Sequence, residues 1–160
     1  MLNDQKFEIN DSFAELLRGI INDENKINVF MQHEKQVYYY ISAAGDVFSG
    51  RESDSEPDRK LYSVGNYCTN KSLMEQRALH ETLNRLLWRF NEMHGGDVQW
   101  DGDNDHTYIV YNKINDEYSV SNWSYIKTQG AIYFPSVKRA EEAIETVIKP
   151  FVAKHPEFVW

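Results

Sequence analysis

Residues Gly130–Pro150, GAIYFPSVKRAEEAIETVIKP, change from strand-like to helix-like patterning within a few positions. Ala131–Phe134 is a short apolar run ending in aromatics, which suits a pleated surface. Pro135 keeps Phe134 extended, and the Ser136 hydroxyl is placed to cap a helix. Val137, Ala140, Ile144 and Val147 then share one helical face, with Lys138, Arg139, Glu141, Glu142 and Glu145 on the other. Pro150 reads as the stop. A strand running straight into a capped amphipathic helix predicts an α+β protein. Every feature of the stretch has a folding job, so it reads as scaffold.

Upstream, HTYIVYN (106–112), EYSVSNWSYI (117–126) and GAIYF (130–134) read as three strands joined by turns at KIND and KTQG. Before them a long helix is expected from Ser72 to Met93. Ser72 and Glu75 have capping-box spacing, and Leu79, Leu83, Leu86, Leu87 and Phe90 make a buried stripe. His94-Gly95-Gly96 supplies the glycine stop. Further back, INVFMQ and VYYYIS read as a hairpin around HEKQ, AAGD as a turn, and VF (47–48) as a brief strand. The acidic GRESDSEPDRK reads as a loop, followed by an extended KLYSVGNYC. An N-terminal helix is expected from Ser12 to Ile21, with Phe13, Leu16, Leu17 and Ile20 on one face.

The two halves repeat an order of aromatic strand, second strand, third strand, cap and helix. Tyr67-Cys68-Thr69 aligns with Phe134-Pro135-Ser136, and Tyr38–Ser42 with Tyr108–Asn112. The expectation is one domain over 1–160 with an internal pseudo-repeat, 37–93 and 107–149. Its two βββα-like halves would form an antiparallel sheet with helices on one face, plus the N-terminal helix.

Bulk properties bound the function. A chain of 160 residues with 41% apolar and 26% charged residues is globular, and long enough to bury a core unaided. One cysteine, Cys68, excludes an internal disulfide framework and suits a reducing cytoplasm. No signal peptide or run of about 20 apolar residues is visible, so a cytoplasmic protein with no membrane partner is expected. A net charge of −8 disfavours non-specific binding to nucleic acid or anionic lipid. The acid is concentrated: no Lys or Arg lies between Arg89 and Lys113, where Glu92, Asp97, Asp101, Asp103 and Asp105 fall.

The segments YYYIS, LYSVGN, YIVYN and IYFPSVKRAEEAIE together resemble a family of phage and prophage accessory proteins of Gram-positive bacteria. In it, Tyr/Trp-rich strands precede a closing Y-F-x-S/T segment and A-E-x-A-I-E. The likeness runs from Val37 to Ile148, with Pro135 and Val137 where more polar residues are usual. The family has no assigned activity or catalytic residues. The resemblance implies context, a phage-encoded protein acting inside a bacterial host.

Motifs for chemistry are weak. DGDNDH (Asp101–His106) has carboxylates at calcium-loop positions 1, 3 and 5, but His106 stands where Gly is needed and Asn112 where Glu is needed. A solvated loop fits better. His80-Glu81 lacks a second His at the zinc spacing, because that position is Asn84. Cys68 precedes a helix start, yet its alternation with Tyr67 suits a packed strand end. No phosphate loop, nucleophile elbow or paired-carboxylate motif is present. No catalytic residue, metal or cofactor is therefore expected.

Exposed Tyr and Trp are favoured interface anchors, and acidic loops suit a basic target. The expected function is non-enzymatic: binding and modulating a host protein, one with a basic nucleic-acid channel, in the manner of anti-CRISPR and other counter-defence inhibitors. Trp123, Tyr118, Tyr125, Asp101, Asp103 and Asp105 are the residues expected to carry that contact. The alternative is nucleic-acid binding by an aromatic sheet face with Arg85, Trp88, Arg89 and Lys127. Aromatics on both parities of Tyr38-Tyr39-Tyr40 leave the buried face undecided, so a second copy in a homodimer could cover one side.

Overall fold

A computed structural model describes residues 28–30, 32–96, 106–123 and 127–160. The expected N-terminal helix lies outside them. In chain order the elements are β1 (Val37–Ile41), β2 (Val47–Arg51), α1 (Glu56–Ser63), α2 (Lys71–Met93), β3 (His106–Asn112), β4 (Glu117–Trp123), β5 (Tyr133–Phe134) and α3 (Val137–Ala143). A π-helical turn, Ile144–Ile148, then leads into α4 (Lys149–Lys154). The protein is α+β with antiparallel strands. These divide into two sheets, β1-β2 and β4-β3-β5.

β1 turns back at Ser42–Asp46 onto β2, pairing Val37 with Arg51 through to Ile41 with Val47. VYYYIS therefore pairs with the brief strand after it. Among the described residues the hairpin expected between INVFMQ and VYYYIS is not formed: Val29 and Phe30 lie in a turn, and the Val29 carbonyl accepts from Thr69 N–H at 2.8 Å.

The three consecutive tyrosines make sense because both faces of this hairpin are covered. Tyr39 and Ile41 pack with Cys68, Met74 and Ala78 toward α2. Tyr38 points the other way, stacked on Tyr67 at 4.3 Å, beneath α1. Gly50, opposite Tyr38 in the register, leaves room for that ring: a Cβ there would sit 2.5 Å from Tyr38 Cζ.

Three boundaries correct the sequence reading. SEPD is a helix start, not a loop. Ser55 caps α1 in a capping box with Asp58, and Pro57 occupies the first turn, where its missing N–H costs nothing. The piece expected to be extended, KLYSVGNYC, is helical as far as Ser63, turns at Val64–Gly65, and meets a strand at Cys68. In α2 the cap is Asn70, whose side chain accepts from Leu73 N–H at 3.1 Å, rather than Ser72. Pro150 does not end the last helix. The preceding turn widens, with Lys149 N–H donating to the Ile144 carbonyl, and Pro150 becomes an early residue of α4. A wider turn resolves the conflict between the proline ring and the carbonyl one α-turn earlier.

Ser136 caps α3 as expected, accepting from Arg139 N–H at 3.3 Å. Ala140 and Ile144 are buried, but Val137 is 40% exposed despite its place in the apolar pattern. The second core gathers Leu83, Leu87, Phe134, Ala140, Ala143, Ile144, Ile148 and Phe151. Thus α2 lays its first half on the hairpin core and its second half on the C-terminal core.

The C-terminal segment folds back on α2. Gln76 holds it at both ends of its amide: Nε2 donates to the Glu157 carbonyl at 2.6 Å, and Oε1 accepts from Val159 N–H at 3.0 Å. Phe158 lies edge-on to Phe151, and Trp160 meets Tyr118 at 5.1 Å.

Candidate protein-interaction surface

The outer face of α2 brings together Arg85, Trp88 and Arg89, three of the four residues singled out in the sequence for the nucleic-acid alternative. Helical spacing places Arg85, Trp88 and Arg89 side by side, because the inward positions Leu83 and Leu87 fix the opposite face. Trp88 is 60% exposed and Met93, a turn further on, is 75% exposed. Large apolar side chains this open on a rigid helix are the material of interfaces.

Arg85 is held in place. Its Nη1 donates to the Ala43 carbonyl at 3.1 Å, and Nη2 lies 3.4 Å from Glu81, which also receives Arg77 Nε at 2.9 Å. The Ala43 contact ties the β1–β2 turn to α2, where Gly45 adopts φ +97° with its Cβ position 3.0 Å from Thr82 Oγ1. That conformation and that clearance both favour glycine.

Two hollows flank this face. One lies under Trp88, lined by Ala44, Thr82, Arg85, Leu86 and Arg89. The other runs between α2 and α4, with a volume of ≈ 430 Å³, and shares Thr82, Leu86 and Arg89 with the first. A larger, more polar cleft of ≈ 760 Å³ lies nearer the start of α2, between the β1–β2 turn and the C-terminal segment.

The remaining expected residues scatter. Asp101, Asp103, Asp105 and Tyr125 lie outside the described residues. Trp123 ends β4, with its backbone opposite His106. Tyr118 is half-buried on the helix-covered side of the sheet, against Tyr111 and Trp160, and burial raises its phenol pKa. Lys127 lies in the β4–β5 connection, not on α2. Cys68 is buried, its thiol donating to the Asn70 carbonyl at 3.5 Å. The His80 ring rests on Phe158 at 4.7 Å.

A buried polar network escaped the sequence reading altogether. Tyr38 Oη donates to Asp58 Oδ1 at 2.6 Å, and Asp58 Oδ2 accepts from Ser53 N–H, Ser53 Oγ and Ser55 N–H at 3.0, 2.8 and 3.2 Å. The Tyr38 hydrogen bond holds the Asp58 carboxyl well below the usual carboxylate range, while burial pushes the Tyr38 phenol far up. Beside it, Tyr67 Oη accepts from Gln36 Nε2 at 2.8 Å, and burial raises that phenol too. Glu52 accepts from Asp54 N–H at 2.8 Å and Gln32 Nε2 at 3.1 Å. Both Asp58 oxygens are engaged, so the group braces α1 against the hairpin. The S-x-x-D spacing at Ser55–Asp58 was the signal that could have revealed it.

Among the described residues, no group of three or more His, Cys, Asp or Glu is placed to hold a metal ion. Nor is any helix among them long and apolar enough to cross a membrane. No family model matches the chain, and neither curated protein sequences nor solved structures contain a detectable relative.

Proposed function

We propose that the protein is a non-enzymatic accessory protein that binds and modulates a host protein, with the outer face of α2 as its contact surface. The carrying observation is Trp88, 60% exposed between Arg85 and Arg89 on a helix braced from behind by both cores. Trp and Arg are the residues that most often dominate binding energy, and a rigid helix holds them at little entropic cost. The phage-like sequence pattern supplies the setting: a bacterial cytoplasm, and a counter-defence inhibitor of the anti-CRISPR kind. The Asp101–Asp105 segment is a second contact toward a basic channel, because three carboxylates within five sequence positions favour a cationic surface.

Affinity capture from host lysate, with and without nuclease, tests this. The expected result is a defined protein that survives nuclease and is lost with Trp88→Ala. Capture unaffected by Trp88→Ala would overturn the assignment of the surface. A second reading has one observation in its favour, since Trp88 flanked by two arginines could stack and neutralise a nucleic-acid strand. Binding that disappears with nuclease and falls steeply with salt would select it.

A further inference from the structure

We propose that the groove between the second half of α2 and α4 docks an acidic amphipathic helix of the partner protein. The proposal rests on the binding-protein reading and gives that partner its chemistry.

The floor is apolar, formed by Leu86 and Phe90 of α2, Val147 of the π turn and Phe151 of α4. Thr82 to Met93 extends about 17 Å along α2, close to three helical turns. That length matches an incoming helix with apolar anchors at i, i+4 and i+7. Met93 stands open at the end of the groove, and its unbranched side chain adapts to whatever packs on it.

Charge selects the occupant. Arg89 on α2 and Lys154 on α4 both line the groove, and among the described residues neither makes a hydrogen bond or ion pair. Elsewhere Arg77, Arg85, Arg139 and Lys149 are each engaged by a glutamate. Among the described residues, no carboxylate lines this groove or the hollow under Trp88. Glu157, beyond its edge, lies 3.3 Å from His155 Nδ1. In a chain of net charge −8, two unpaired cations beside an apolar floor form a surface complementary to Glu- and Asp-flanked apolar side chains.

The probe is a labelled peptide of about 18 residues, roughly five helical turns, with Leu on one face and Glu on the other. Its control carries Lys in place of Glu, and binding is read by fluorescence polarisation. The acidic peptide is expected to bind and the Lys peptide not. Arg89→Glu with Lys154→Glu is expected to weaken the acidic peptide by at least about tenfold and to admit the Lys peptide. Met93→Asp removes binding of the acidic peptide. Absence of binding to the unmodified protein, or indifference to the double charge reversal, overturns the proposal. So does a concentration-dependent dimer in sedimentation that the double reversal abolishes, because the groove would then belong to a second copy. Competition by a peptide of residues 1–27 overturns it likewise, in favour of the chain's own segment. If Trp88→Ala abolishes capture of the host protein while the charge reversal does not, the groove proposal falls and the binding-protein reading stands. All these side chains are solvent-facing, and unchanged circular dichroism confirms that each variant folds.

Discussion

Asp58 shows how one residue changes meaning between sequence and structure. In GRESDSEPDRK it is one acid among several, and its S-x-x-D spacing from Ser55 marks a helix cap but not the tyrosine that buries it. The tyrosine that pairs with it lies 20 residues earlier, so only the fold brings the two together. Tyr38→Phe removes one charge-assisted donor and is expected to cost about 1–2 kcal/mol in urea denaturation. Asp58→Ala strands the Tyr38 hydroxyl and two backbone N–H groups, and should cost about 2–3 kcal/mol. The sign of the pH dependence follows from the depressed carboxyl. The unfolded chain takes up a proton near pH 4 and the folded chain only well below it. The Asp58 contribution is therefore intact above about pH 5 and is lost progressively below pH 4. Acid titration of stability should show a shallower loss in Asp58→Asn than in the parent protein; parallel curves would mean that the carboxylate charge is not what braces α1. Gly50→Ala makes the complementary test of space. A methyl group aimed at the Tyr38 ring is an overpacking change worth about 1–3 kcal/mol, although Gly50 lies in a strand where alanine is otherwise harmless.

At the scale of elements, strands β3 and β4 and the helix starting after Ser136 were legible because their signals are local: alternation, turn residues and a cap. The central helix was equally plain from its leucines. The errors fall where a distant contact decides. Pro150 ends helices by a local rule, yet burial of Ile148 and Phe151 on either side of it keeps the chain helical, and the backbone widens instead. The choice of Asn70 over Ser72 follows from the position of Cys68, whose bridge to Tyr39 sets where the strand ends and the helix begins. Among the candidate site residues, the Arg85-Trp88-Arg89 face could be read from helical spacing alone. Its pairing with Lys154 could not, because α4 was not expected. Gln76 belongs to the same class of tertiary effect. Gln76→Ala removes two hydrogen bonds to the C-terminal segment and should cost about 1–2 kcal/mol. Amide exchange at Val159 is the sensitive probe. Protection there should fall far more than at β3, and equal loss at both would mean that the segment is held by its aromatic contacts rather than by Gln76.

Across the whole molecule, the two sheets share a plan. β1 lies between β2 and the Cys68 bridge, and β3 lies between β4 and β5, each pairing antiparallel on both sides. The pairs Tyr39–Cys68 and Thr107–Phe134 occupy matching places, so Cys68, not Tyr67 as the sequence alignment places it, corresponds to Phe134, and the caps Asn70 and Ser136 each follow two residues later. Four residues after each cap stands a buried core residue, Met74 in one half and Ala140 in the other. What differs is the helix. α2 continues for 23 residues, and its second half, with Leu83 and Leu87, enters the core of the other half. That extension should make the molecule fold as one unit despite its two sheets. Met74→Ala opens a cavity in the hairpin core, and a large-to-small change of this kind costs about 2–5 kcal/mol. If α2 couples the halves, native-state hydrogen exchange of the β1 amides and of the β3 amides will lose protection by the same amount in this variant. Loss confined to β1 would mean that α2 melts from its N-terminal end and that the hairpin is an independently unfolding layer. The binding surface proposed at Trp88 and Arg89 lies on the second half of α2, so the first outcome also predicts that Met74→Ala leaves the geometry of that surface unchanged up to the midpoint of global unfolding.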